Sequence, residues 1–104
     1  MNYDQIWKYT LDNSPDRILH GFEMPVGAKF LHIAQQDGSP CYGSPCFWMK
    51  VDSSQPKAYR SVYMAPTGKQ PGAFVPSDDH ADYMGTLFFR GGFVGHFFLE
   101  KGDA

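Results

Sequence analysis

The chain has 104 residues, 42% of them hydrophobic and 16% aromatic, with nine basic and eleven acidic side chains for a net charge of −2. That length suits one domain around one core, here 1–104, and that composition excludes disorder. The slightly acidic balance argues against a nonspecific nucleic-acid binder, which carries a basic excess, and makes a nucleic-acid partner unexpected.

No apolar run approaches the roughly 18 residues of a membrane helix. The opening Met1-Asn2-Tyr3-Asp4-Gln5 lacks the basic and apolar regions of a signal peptide. A soluble protein working in the cytoplasm, with no membrane partner, is expected.

Taken in chain order, the periodicity is that of strands. Ile6 to Leu11 alternates, with Trp7, Tyr9 and Leu11 on one face. Asn13-Ser14-Pro15-Asp16 is a turn cluster, because its short polar side chains compete for backbone groups and proline fixes φ. Leu19 to Glu23 predicts a short strand, stopped by a reversal over Met24-Pro25-Val26-Gly27. Ala28 to Gln35 alternates again, with Phe30, His32 and Ala34 expected on one side and Lys29, Leu31 and Ile33 on the other.

Gln36-Asp37-Gly38 has hairpin-turn chemistry, since Asp-Gly readily supplies positive φ. Cys46 to Val51 predicts a strand with Phe47, Met49 and Val51 on one face, broken by Asp52-Ser53-Ser54-Gln55-Pro56. Ala58 to Met64 sets Tyr59 and Tyr63 opposite Val62 and Met64. Residues 65–82 hold three prolines, two glycines and the acidic cluster Asp78, Asp79 and Asp82 with no hydrophobic period. A long Pro/Gly-rich loop, functional or mobile, is expected there.

Tyr83 to Glu100 then reads as two strands joined at Arg90-Gly91-Gly92. It holds five of the nine phenylalanines and is apolar on both alternations, so both its faces need cover, from the rest of the domain or from a second molecule. Seven short strands and no helical period give an all-β antiparallel sandwich or barrel.

Gly38-Ser39-Pro40-Cys41 is repeated at Gly43-Ser44-Pro45-Cys46, a local duplication that lengthens a loop at little thermodynamic cost. Cys41 and Cys46 have the spacing to close a small disulfide loop, although two free thiols in a turn fit a reducing compartment better.

The chemistry-bearing residues are few. His32, His80 and His96 with Asp78, Asp79 and Asp82 form the one conceivable ligand set, but no metal-binding spacing accompanies them and no metal site is assigned. Cys46, His96 and an aspartate lack any nucleophile elbow, so no catalytic residues and no enzyme activity are assigned. Gly91, Gly92 and Gly95 sit in a hairpin, whereas a phosphate cradle opens a helix. No cofactor is implied.

Aromatic side chains are plentiful. Trp7, Tyr9, Trp48, Tyr59, Tyr63 and Tyr83 suit stacking, and Lys8, Lys50 and Arg60 suit anions, although cross-strand packing explains aromatic pairs equally well. The candidate binding residues are Trp7, Lys8, Trp48, Lys50, Arg60, Phe74, Asp78, Asp79 and His80. Lys8 and Lys50 are expected on partly solvated strand faces, at a mouth for a small anionic ligand.

Read together, Ile6-Trp7-Lys8-Tyr9, Met24-Pro25-x-Gly27-Ala28-Lys29-x-Leu31, Gln36-x-Gly38, Cys46-x-Trp48 with Val51-Asp52, Thr67-Gly68, Tyr83-x-Gly85-Thr86 and Phe93-Val94-x-His96 resemble a family of short uncharacterised proteins of tailed phages and prophages. That family is described as a domain of unknown function. The resemblance spans most of the chain and departs from the family pattern at the duplicated Gly-Ser-Pro-Cys and in the Pro-rich stretch after Gly68. It implies a setting, a phage genome in bacterial cytoplasm, and no activity.

The expectation is a non-enzymatic binding protein, a phage accessory factor that engages a host protein and forms a homodimer. The alternatives are a nucleotide-type small-ligand binder with a pocket at a subunit interface, and a structural protein of the virion.

Overall fold

The computed structural model describes residues 2–11, 19–35, 45–68, 74–89 and 91–102. Among them are seven strands and no helix, hence none long and apolar enough to cross a membrane. The strands are β1 (Gln5–Thr10), β2 (Leu19–Pro25), β3 (Lys29–Gln35), β4 (Pro45–Val51), β5 (Lys57–Pro66), β6 (Ala81–Phe88) and β7 (Val94–Glu100). They form two antiparallel sheets, ordered β1-β4-β3 and β2-β5-β7-β6. The fold is a sandwich.

Alternation decides which side chains enter it. Phe47, Met49 and Val51 of β4 are fully buried, as are Met24 of β2 and Val62 of β5, and Phe97 and Leu99 of β7 join them. The sheets meet through an aromatic cluster. Tyr9 stacks on Phe47 at 5.1 Å, and the Phe22 ring of the other sheet meets Phe47 edge-on, also at 5.1 Å. Such pairs add about 0.5–1.5 kcal/mol beyond their area.

Side-chain-to-backbone bonds tie the sheets at both sides. The Tyr9 hydroxyl donates to Glu23 O at 3.2 Å, joining the edge strands β1 and β2. On the other side the Gln35 amide donates to Phe88 O, joining β3 and β6.

Turn chemistry falls where the composition put it. Gly27 has φ 84° in the reversal after β2, and Gly91 and Gly92 have φ 89° and 87° between β6 and β7. Phe89 N–H donates to Phe93 O at 2.8 Å across that last turn. After β4 the Asp52 carboxylate accepts from the Ser54 amide and hydroxyl, at 3.0 and 2.6 Å, a side-chain-closed turn.

Two expectations are corrected. A bulge between Phe30 and His32 shifts the β3 register, so Phe30 pairs with Met49 and Ile33 with Phe47 on the core face, while His32 pairs with Trp48 outside. Strict alternation had put Phe30 and His32 together; the extra residue, Leu31, reverses the pattern after it. Both ends of the segment expected as a loop over 65–82 are strand, since Ala65 and Pro66 end β5 and Ala81 and Asp82 begin β6; residues 69–73 lie outside the described residues. The turn at 13–16, the Gln36-Asp37-Gly38 turn, Arg90, Cys41 and its Gly-Ser-Pro copy lie outside the described residues.

Candidate functional site

The nine candidate binding residues fall in three places. Lys8, Trp48 and Lys50 come together on the outer face of the three-stranded sheet. Phe74, Asp78, Asp79 and His80 lie over the outer face of the other sheet. Trp7 and Arg60 point inward.

Trp7 pairs with Met49 on the core face, its indole N–H donating to Gln5 Oε1 at 2.7 Å and its ring carrying the Lys57 ammonium at 5.5 Å. It is a rim residue of the core. Arg60 lies on the same alternation as Val62 and Met64, at the open end of the sandwich. Its Nε donates to Glu100 O at 3.0 Å and its Nη1 to Ala28 O at 2.7 Å, so it clamps the end of β7 to the residue before β3. Burial pushes its pKa down and the nearby Glu100 and Asp82 oppose that; a guanidinium keeps its charge regardless.

Depressions of about 150 and 170 Å³ flank Arg60, one beside Gly27 and Tyr59, the other beside Lys29 and Tyr83. Pockets for drug-sized ligands run to about 300–1,000 Å³.

The outer face of the three-stranded sheet is read from its pairings. One row runs Lys8, Trp48, His32 and the next Ile6, Lys50, Lys29, each spanning all three strands. The Trp48 and His32 rings lie 6.1 Å apart at 30°, and Lys50 Nζ sits 4.6 Å from the centre of the Tyr3 ring. The third row holds Thr10, Cys46 and Ala34, with Cys46 buried and its sulfur 3.7 Å from the Thr10 hydroxyl.

The outer face of the four-stranded sheet is aromatic. Leu19, Tyr63, Phe98 and Tyr83 form one row crossing β2, β5, β7 and β6. Tyr83 and Phe98 are 5.6 Å apart, and Phe74 rests on Tyr63 at 5.5 Å. His80 Nε2 shares a 2.7 Å hydrogen bond with the Tyr63 hydroxyl. His96 sits between two hydroxyls, Thr67 at 2.7 Å and Thr86 at 2.8 Å, and Thr86 also bonds Tyr83. Leu19, Tyr59, Tyr83 and Phe88 are all exposed, Tyr59 at 75%. Burial and the nearby Glu23 raise the pKa of Tyr9, which closes the sandwich beneath.

This geometry separates the groups that a metal or nucleophile would need together. His32 is on one outer face and His80 and His96 on the other. Asp82 turns from His80 to pair with Lys101 at 2.9 Å. Cys46 and His96 stand on opposite sides of the sandwich. Among the described residues no three His, Cys, Asp or Glu side chains cluster as a metal site.

Residues 2–104 match the family described as Domain of unknown function (DUF7352). The chain belongs to it. No curated protein and no solved structure matches the chain. Membership in the DUF7352 family brings no activity with it, so function rests on the two faces.

Sequence reasoning missed Lys29 and Phe98 as surface residues. Phe98 was signalled by the double-faced apolar hairpin. Lys29 was hidden by the bulge, which lets Lys29 and His32 share a face three residues apart.

Proposed function

We propose that the chain is a non-enzymatic binding protein that docks a protein partner on the outer face of its four-stranded sheet. The observation that carries this is the row Leu19–Tyr63–Phe98–Tyr83. Aromatic side chains are enriched at interfaces because they bury large area at low entropic cost. Exposed Glu23, Asp78 and Asp79 lie at the margin of this face, so the partner is one with an apolar centre and a basic rim. The resemblance to phage and prophage proteins supports a bacterial host protein as that partner, with the chain as an accessory factor acting in the host cytoplasm.

The test is retention of a host protein by the tagged chain, comparing wild type with Tyr83→Glu/Phe88→Glu on the aromatic face and Lys8→Glu on the other. Saturable retention lost only in the first variant supports the reading; equal retention by all three sinks it. Sedimentation of the same samples separates a closed homodimer from the open polymer of a virion component.

A second reading follows from Arg60, flanked by two shallow depressions. Completed by another subunit, they would take a small anionic ligand such as a nucleotide. A ligand selective for the folded state raises the melting temperature; a flat response across a nucleotide panel counts against it.

A further inference from the structure

We propose that the outer face of the three-stranded sheet is a platform for single-stranded nucleic acid. It lies opposite the aromatic face and stands whether or not a protein docks there. The net charge of −2 is an average over two unlike sides. Lys8, Lys29 and Lys50 all project from this face, Lys50 over the Tyr3 ring, and within its three strands no carboxylate does; the nearest, Asp4 just before β1, is held by Ser53. Glu23, Asp78 and Asp79 belong to the other side of the molecule.

The pairing of Lys29 with Lys50 decides what kind of occupant fits. Like charges directly opposite on adjacent strands destabilise a sheet. A fold that keeps such a pair gains when an anion lies between them. Strands are about 4.8 Å apart, so lysines on three neighbouring strands span about 10 Å, a track suited to successive phosphates. In the same face Trp48 and His32 present adjacent rings at the centre, and bases stack on such rings whatever their sequence.

The alternatives fit less well. Neither depression beside Arg60 is lined by Lys8, Trp48, His32 or Lys50, so neither lets this face bury a mononucleotide, and a row of strand side chains is not an element that enters a duplex groove. An acidic peptide would satisfy the lysines and gain nothing from the rings.

The experiment is fluorescence anisotropy of labelled 15-residue DNA and RNA single strands with the full chain, titrated from low to moderate salt. Wild type should bind, with affinity falling as salt rises. Lys50→Gln should reduce the slope of log K against log salt by about 0.7, the contribution of one phosphate contact on a single strand. Trp48→Ala should weaken binding about tenfold or more, the loss of one stacked base.

Melting curves establish that each variant is folded. If Trp48→Ala does not fold, the exposed substitution His32→Ala carries the same stacking test. No binding by wild type at low salt overturns the proposal. So does unchanged binding by both variants. Equal binding of duplex DNA or poly-glutamate, insensitive to loss of a ring, overturns it too and leaves a plain polyanion patch.

Discussion

Gly85 of β6 lies so close to Ile33 of β3 that a methyl carbon on its α-carbon would stand 2.8 Å from Ile33 Cγ2. These are the edge strands of different sheets, and their contact seals one long side of the sandwich. Gly85 follows the β6 bulge and has φ 150°, so a side chain there meets both a clash and an unfavourable backbone. Bulged edges also resist pairing with another chain's strand.

Gly85→Ala should therefore destabilise the fold by about 1–3 kcal/mol, the usual cost of overpacking, read as a lower urea midpoint with unchanged slope. A wild-type midpoint would mean that β3 and β6 part easily.

Arg60 should act on stability. Arg60→Ala removes charge-assisted bonds to two backbone carbonyls, each worth about 1.5–3 kcal/mol when buried; at this half-exposed site, where solvent screens them, the loss should be roughly 2–4 kcal/mol in chemical denaturation. Arg60→Lys cannot reproduce the planar fork and should recover only part of that. Full recovery by lysine would show that charge alone holds this end.

Asp4 and Asp52 set the acid limit. The Asp4 carboxylate accepts from the Ser53 hydroxyl and amide at 2.6 and 2.8 Å, and Asp52 accepts from Ser54. Those bonds hold both carboxyls below their ordinary value of 3.8. A depressed folded-state pKa stabilises fully above the unfolded value and is lost as pH falls through the folded one. Stability should be flat from neutrality to about pH 5 and decline below 3.8. Asp4→Asn with Asp52→Asn should flatten that decline in melts between pH 2.5 and 6; an unchanged slope would assign it elsewhere.

Lys29→Gln should raise the melting temperature by about 1–3 °C at low salt, because it relieves the opposition to Lys50. The gain should vanish in molar salt, where the Debye length is about 3 Å. A loss of stability at low salt would show that the lysine stem packs more than its charge repels.

The sequence carried the elements further than their arrangement. All seven strands were legible, most from alternation and the last two from an apolar run broken at Arg90-Gly91-Gly92, and Phe47, Met49 and Val51 were read on one face and found buried there. Two kinds of information were not local. The bulge at Leu31 is an event between β3 and β4, invisible in the seven residues of either, yet it swaps the sides of His32 and Ile33. The order β2-β5-β7-β6 depends on contacts between distant segments, and only that order reveals Leu19, Tyr63, Phe98 and Tyr83 as one row. Of the candidate site, Lys8, Trp48 and Lys50 were found together because β1 and β4 are regular and paired in register. Arg60 was read only as a group that suits anions, because alternation says which side of β5 it takes and not that the carbonyls of Ala28 and Glu100 accept its hydrogen bonds.

Lys8, Lys29 and Lys50 on one broad side and Glu23, Asp78 and Asp79 on the other, offset in part by Asp4 on the first and by Lys57 and Lys101 on the second, separate charge across a plate only 16 Å through its shortest axis. Such a plate turns in the field of a charged body before it touches. By that field the two proposals imply opposite approaches: an anionic polymer would draw the lysine side toward itself and a basic protein the aromatic side.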